Sequence, residues 1–163
     1  MSKIKIGGII QNTNLVRISL TCFASNPVAQ SNSMAYATLL ESLGKAQISV
    51  DFIVQGSYQD QDELLVLCVS KEDWGNTQRI IHNFQVEHEI KNITVDQNVA
   101  SIGIYGPDFR IKPGLAGALI KTMHAAGVTI QSISTSLSTF TMIIPADQSD
   151  RALAAIHHAF ELP

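Results

Sequence analysis

The stretch GPDFRIKPGLAGALIKTMHAAGVTIQSISTS, residues 106–136, decides the fold. It begins with a loop rich in turn residues, after which Pro113 and Gly114 predict the start of a helix that ends at Gly127. The residues beyond Gly127 alternate apolar and polar side chains, which is typical of a half-buried strand. The stretch therefore predicts a loop, a helix and a strand in that order.

The same helix and strand occur a second time, 80 positions earlier in the chain. Residues 34–46 match residues 114–126, and residues 49–56 match residues 129–136. Self-similarity at a fixed spacing indicates repeated structural units. With 163 residues, of which 45% are apolar, the chain is long enough to form two small hydrophobic cores. The sequence thus predicts a duplication.

The two repeats differ in how many strands they contain. The periodicity of the first repeat predicts a strand at 15–23, a helix at 34–43, strands at 48–55 and 63–69, a short helix from Ser70 to His82 and a strand at 88–95. The second repeat begins with a strand near residue 99 and ends after its second helix at residues 149–160. A spare strand is predicted at residues 4–10. Because a sheet without its edge strand would expose unpaired backbone groups, we expect the N-terminal strand to close the second repeat, with the first repeat inserted between them.

This arrangement predicts an α+β fold of two βαββαβ modules. Each module is a four-stranded antiparallel sheet with two helices on one face. The expected boundaries are residues 13–96 for the inserted module, and residues 1–12 plus 97–163 for the discontinuous one.

Composition and charge exclude several classes of protein. The net charge is −3 and the 11 Lys and Arg residues form no basic block, so no nucleic-acid partner is expected. No apolar run has the length of a signal peptide or of a membrane span, so a cytoplasmic protein without a membrane partner is predicted. In that reducing compartment Cys22 and Cys68, each in an apolar run, are expected to be buried free thiols.

A search for catalytic and metal-binding patterns predicts no catalytic residue, no metal and no cofactor. The loop at residues 106–114 continues into Leu115 and therefore lacks the Gly-Lys-Ser/Thr sequence of a phosphate-binding loop, whose hydroxyl binds magnesium. His157 and His158 are adjacent on a helix and point about 100° apart, so they do not share a metal ion.

The sequence favours a site for a small zwitterion. A helix that begins at Pro113 and Gly114 offers free N–H groups to a carboxylate, and Asp51 could hold an ammonium group. Neutral hydrogen bonds would come from Gln55, Gln131, Ser134 and Ser136. On pattern alone, a plain turn and helix start at Pro113 and Gly114 and a solvated strand-face carboxylate at Asp51 are the more common interpretations.

Four segments resemble a known family: VDFIVQG at 50–56, DQNVASIGIYG at 96–106, KPGLAGALIKTMHAAGVTIQSIST at 112–135 and LAAIHHAFEL at 153–162. Together they resemble the regulatory region of aspartate kinases, which in some organisms is made as a separate beta subunit. That region consists of two ferredoxin-like ACT domains, small amino-acid-binding modules, with one inserted in the other. The resemblance covers nearly the whole chain.

The resemblance implies feedback control of amino-acid biosynthesis. Lysine, threonine or both would bind at ACT–ACT interfaces of a homodimer and inhibit an aspartate kinase catalytic domain, which this chain does not carry. By matched position, the implied effector contacts lie in two sets. They are Phe109, Arg110, Pro113, Gly114, Ile130, Gln131 and Ser134 in the second repeat, and Val50, Asp51 and Gln55 in the first.

Departures from the family pattern keep an alternative open. The first repeat has a longer loop in which Val28 follows Pro27, where the family has a Pro-Gly turn. Leu137 replaces an acidic residue of lysine-binding members, which argues against an ordinary lysine site. The alternative is an ACT-type dimerisation module that has lost effector binding. An independent enzyme would need a convergent set of titratable residues, which the sequence does not show.

Overall fold

The computed structural model describes residues 3–23, 32–57, 62–106, 109 and 113–163, with residues 32 and 33 by their backbone alone. These residues form two compact units. We call residues 15–97 the inserted unit, and residues 1–14 with 98–163 the discontinuous unit. The elements in chain order are β1 (Ile4–Lys5), β2 (Gly8–Cys22), α1 (Asn32–Lys45), β3 (Phe52–Ser57), β4 (Glu63–Ser70), α2 (Trp74–Glu87), β5 (Ile90–Tyr105), α3 (Leu115–Ala125), β6 (Ser132–Thr135), β7 (Thr139–Pro145), α4 (Ser149–Ala159) and β8 (Phe160–Glu161).

The inserted unit is an antiparallel sheet covered on one face by two helices. Its strand order is β3-β4-β2-β5, with Ile18 directly opposite Leu67 in the β2–β4 ladder. Both side chains belong to one buried cluster together with Leu39 of α1 and Phe84 of α2. Because the two helices share this cluster, they pack on the same face of the sheet.

The discontinuous unit repeats this architecture, with strand order β2-β5-β7-β6. Its core joins Ile102 of β5 and Met142 of β7 to Leu119 of α3 and Ile156 of α4. The carbonyl oxygen of Ile10 lies 3.7 Å from the point that a Cβ on Gly103 would occupy, so the first half of β2 runs beside β5. The predicted fold class, α+β with two helices on one face of each antiparallel sheet, is confirmed.

Two strands are longer than the sequence predicts. The expected strands at 4–10 and 15–23 are replaced by the short β1 and the continuous β2, and those at 88–95 and from 99 onward are one strand, β5. The polar runs 11–14 and 96–98 lack the alternation of a half-buried strand, because most of their side chains are exposed. The backbone stays extended through them, so β2 and β5 each contribute to both units.

The N-terminal segment, residues Ile4–Gly8, forms contacts that the sequence does not predict. β1 pairs in parallel with β8, with Ile4 opposite Phe160 and Lys5 opposite Glu161. The N–H of Ile6 donates a hydrogen bond to the carbonyl oxygen of Glu161 at 2.9 Å. The two ends of the discontinuous unit are thereby joined.

The duplication is visible in individual hydrogen bonds. At the end of α1 the N–H groups of residues 46, 47 and 48 donate to the carbonyl oxygens of residues 42, 44 and 43. At the end of α3 residues 126, 127 and 128 donate to residues 122, 124 and 123, each 80 positions later. The equivalent residues Gln47 and Gly127 share a left-handed backbone, with φ of 60° and 68°. The two repeats therefore end their first helix in the same way.

The left-handed conformation predicts a stabilising substitution at Gln47. A residue with a Cβ is strained there and glycine is not, so Gln47→Gly is expected to raise the free energy of unfolding by about 1 kcal/mol. Urea denaturation followed by circular dichroism measures this change. The matched control is Ser42→Gly inside α1, which is expected to destabilise by about 0.5–1 kcal/mol. Equal destabilisation by both substitutions would contradict the strain at Gln47.

The cysteines are free and buried, as the sequence predicts. Burial raises the pKa of the Cys68 thiol to about 12, against the opposing effect of Arg17, while the charge of Asp51 adds to the increase. Burial also raises the pKa of Cys22. Both thiols therefore stay protonated at neutral pH, which is the unreactive form.

Candidate functional site

The start of α3 is the best-defined candidate site. Gly114 is the N-cap residue with φ 89° and ψ 0°, a left-handed backbone that favours glycine. The first hydrogen bond of the helix runs from the N–H of Ala118 to the carbonyl oxygen of Gly114, at 3.0 Å. The N–H groups of Leu115, Ala116 and Gly117 precede that bond, in the turn where a helix attracts anions.

The described residues around Gly114 leave room for a ligand. A Cβ added to Gly114 would meet no described atom within 4 Å, and both Pro113 and Gly114 are exposed. Leu115, only 6% exposed, anchors the helix in the core of the unit. A fixed helix start with an open approach is the arrangement that carboxylate binding requires.

The equivalent helix start of the inserted unit is built differently. Met34 stands 80 positions before Gly114, and it lies inside α1, which already begins at Asn32. Its side chain is 60% exposed. Because α1 begins earlier and has no left-handed glycine at this position, the two helix starts do not offer the same backbone geometry.

Of the loop residues predicted to contact an effector, Phe109 is described and Arg110 lies outside the described residues. The Phe109 ring is half-buried and packs against the core of the discontinuous unit. Its N–H donates to the carbonyl oxygen of Gly106 at 3.4 Å. Phe109 is thus tied to Gly106 by its backbone and to the core by its ring.

The predicted residues of the second strand divide between two ends of the unit. Since β5 and β6 are both antiparallel to β7, they run in the same direction, and Ser134 lies toward the end from which the loop leads to Gly114. Ile130 instead lines a groove with His124 and Gly127 at the other end of α3. The 11 residues of α3 make it about 16 Å long, so one amino acid at Gly114 does not reach Ile130 of the same unit.

Gln131 and Asp51 occupy equivalent positions in the two repeats. The N–H of Gln131 donates to the carbonyl oxygen of Ile143 at 2.8 Å, and that of Asp51 donates to Cys68 at 2.9 Å. Each residue comes directly before its strand, β6 or β3. The sequence predicts a strand at 48–55 that would include Asp51. In the structure β3 begins at Phe52, so Asp51 lies just outside the strand.

The remaining two predicted contacts also belong to the inserted unit. Val50 is half-buried and packs against the core. Gln55 is exposed on β3, opposite Leu65. With Asp51, they belong to the inserted unit, whereas the residues around Gly114 belong to the discontinuous unit.

Sequence reasoning missed two surface grooves. One, of about 510 Å³, lies on the inserted unit, and Trp74, the single tryptophan of the chain, is among its lining residues with Arg79 and His82. The other, of about 470 Å³, is the groove at the end of α3 that includes Ile130. Grooves of this kind form between elements, so no local pattern signals them. Within the described residues no three His, Cys, Asp or Glu side chains cluster as a metal site, and none of the described helices has the length and hydropathy of a membrane span.

Comparison with known proteins gives consistent results. A sequence-family model described as ACT domain matches residues 102–160. An aspartate kinase of Stutzerimonas stutzeri is 27% identical over 124 residues, which are 76% of this chain and 30% of that kinase. The chain thus spans less than a third of the length of this relative.

Two solved structures share the fold over almost the whole chain. The regulatory subunit of aspartate kinase from Thermus thermophilus, in its ligand-free form, has a TM-score of 0.82 at 22% identity, covering 96% of this chain and 99% of that chain. A structure of aspartokinase alpha and beta subunits has a TM-score of 0.80 at 24% identity, covering 94% of this chain and 97% of that chain.

Proposed function

This chain contains an ACT domain and is related to the regulatory regions of aspartate kinases, and from that premise we propose that it binds a free amino acid, lysine or threonine, at the start of α3. The left-handed Gly114, which leaves the first turn of α3 open to a carboxylate, is the observation that carries the proposal. The relationship supports an allosteric regulatory role. The identity of the effector is our inference.

The chemistry of the helix start favours the carboxylate end of the amino acid. The N–H groups of the first turn and the helix dipole together attract a negative charge, and an interaction of this kind contributes about 0.3–2 kcal/mol. That contribution alone cannot give useful affinity, since a millimolar dissociation constant already requires about 4 kcal/mol. Further contacts with the ammonium group and the side chain are therefore needed.

We infer that a second copy of the chain supplies these contacts. Ile130 is too far from Gly114 of its own unit to share a small ligand with it, because it lies at the opposite end of α3. A homodimer through the ACT domains can place residues such as Gln131, or Val50, Asp51 and Gln55, opposite a helix start. The full proposed set is Phe109, Arg110, Pro113, Gly114, Ile130, Gln131, Ser134, Val50, Asp51 and Gln55.

We propose that the chain consists of two ACT domains, residues 13–96 and residues 1–12 plus 97–163, and the division of the chain into two compact units supports this proposal. Their regulatory target is the catalytic domain of an aspartate kinase, as the likeness to regulatory subunits suggests. An effector changes the activity of such a partner only if it binds two conformations with unequal affinity. We propose that the bound amino acid lowers the activity of the catalytic domain, which is feedback inhibition.

The second candidate function is a dimerisation module without an effector. The inserted unit favours it, because Met34 replaces the left-handed glycine at its helix start. Leu137, which is 77% exposed, adds an apolar side chain in the turn between β6 and β7 of the discontinuous unit. In this reading the chain pairs with a kinase without sensing amino acids.

Isothermal titration calorimetry of the whole chain with lysine, threonine and the other amino acids separates the two functions. We expect saturable heat with lysine or threonine, and none with the amide of the same amino acid, which lacks the carboxylate that α3 attracts. Sedimentation velocity checks the homodimer. A stable dimer that gives no heat with any amino acid would favour the dimerisation module instead.

A further inference from the structure

The N-terminal segment is hydrogen-bonded to two different parts of the discontinuous unit. On one side the N–H of Ile6 donates to the carbonyl oxygen of Glu161 at 2.9 Å. On the other side the N–H of Gly7 donates to the carbonyl oxygen of Tyr105 at 2.6 Å. The segment is therefore held between β8 and the end of β5.

The same segment touches the first residue of the loop that leads to Gly114. A Cβ on Gly106 would lie 2.7 Å from the nitrogen of Gly7 and 3.1 Å from the Cα of Ile6, so the two backbones are in direct contact. Gly106 also accepts a hydrogen bond from the N–H of Phe109. Movement of the loop start and movement of the segment are thus mechanically linked.

A second connection passes through the core. Ile6 is 3% exposed and belongs to the same buried cluster as Leu115, the first residue of α3 after Gly114. Ile4 and Phe109 pack against that cluster from its surface. Close-packed protein interiors transmit strain from one side chain to the next. The helix start and the N-terminal segment are therefore joined by backbone contact and by side-chain packing.

We propose that the N-terminal segment is a regulatory element of the amino-acid site, closed when the site is occupied and easier to open when it is empty. This inference rests on the proposed function. A ligand that bonds to the N–H groups of the first turn holds Leu115 in place. Since Ile6 packs in the same buried cluster as Leu115, opening the segment costs more free energy when the ligand is bound.

Amide hydrogen exchange of the whole chain tests this coupling. Saturating lysine or threonine, whichever gives heat in calorimetry, is expected to slow exchange at Gly7 about fivefold or more, the usual lower range for coupled sites. The reference is the N–H of His88, which donates to Phe84 at 3.0 Å in the inserted unit. Its exchange is expected to be unchanged.

The coupling must also act in the reverse direction. Ile6→Val removes one methylene from the buried cluster while preserving its shape, and it is expected to weaken amino-acid binding severalfold. The matched control is Ile10→Val, because Ile10 lies on the same stretch of chain but is 61% exposed; its affinity should equal that of the wild type.

The outcomes separate this inference from the proposed function. Binding detected by calorimetry together with unchanged exchange at Gly7 would overturn the coupling and leave the proposed function intact. Absence of binding by any amino acid would overturn the proposed function, and the coupling with it. Slower exchange at Gly7 with a smaller affinity in Ile6→Val supports both.

Discussion

Replacing Gly106 by Ala is expected to lower the free energy of unfolding by about 1–3 kcal/mol, the range for overpacking a well-filled interior. The added Cβ would lie 2.7 Å from the nitrogen of Gly7 and 3.1 Å from the Cα of Ile6. Both neighbours are backbone atoms, and hydrogen bonds hold Ile6 and Gly7 to β8 and β5. Because the backbone cannot move aside freely, part of the N-terminal segment is expected to detach.

Urea denaturation measures this effect, and Gly75→Ala is the matched control. A Cβ on Gly75, which lies in α2 (Trp74–Glu87), would meet no described atom within 4 Å. Alanine there is expected to stabilise by up to about 1 kcal/mol through helix propensity. Equal stability of Gly106→Ala and the wild type would contradict the close contact between Gly106 and the N-terminal segment.

Replacing Gly114 by Val is expected to weaken amino-acid binding by at least about tenfold, which corresponds to about 1.4 kcal/mol. The β-branched side chain would occupy the approach to the first turn of α3 and strain the left-handed backbone at φ 89°. The strain alone destabilises the fold by about 1–2 kcal/mol. Calorimetry with the amino acid that binds the wild type measures the loss.

Ile81→Val separates lost binding from lost stability. Ile81 lies on α2, is buried in the core of the inserted unit and is not among the proposed effector contacts. The substitution is expected to lower the free energy of unfolding by about 0.5–1.5 kcal/mol without covering the start of α3. We expect it to leave the affinity within about twofold of the wild type, well below the 1.4 kcal/mol of a tenfold change. An equal loss of affinity in both variants would attribute the effect of Gly114→Val to reduced stability.

The fold could be predicted largely because the chain repeats itself. The same order of predicted elements in both repeats supported each assignment. The unpaired edge that the second repeat would otherwise have assigned the spare N-terminal strand to it. The start of β2 does lie beside β5 at Ile10 and Gly103. What the alternation of apolar side chains could not reveal was the continuity of β2 through residues 11–14, because that alternation reports burial and most side chains there are exposed.

The pairing of β1 with β8 was also beyond sequence reasoning. Each strand contributes only two residues, too few for a periodic pattern, and the residues that pair are about 156 positions apart, a separation that local signals do not bridge. The close contact of Gly106 with Gly7 could not be predicted for the same reason, because the two residues are far apart in the sequence. Tertiary packing, and not a local motif, requires glycine at Gly106.

For the candidate site, the Pro-Gly pair correctly indicated the start of α3 to within one residue. Resemblance to a family assigned Gly114 and Ile130 to one kind of pocket, yet α3 separates them within the unit. Matching positions to a family identifies residue types without saying which copy of the chain each residue comes from. That is why the second half of the site is a proposal about a dimer.

The most direct test of an amino-acid site at Gly114 is a titration of the ¹⁵N-labelled chain with lysine and with threonine, followed by NMR. We predict saturable shifts of the backbone amides of Leu115, Ala116 and Gly117 with at least one of the two. Amides around the groove at Trp74 should not move. Saturable shifts confined to that groove, or no shift at any amide of the first turn of α3, would contradict the account.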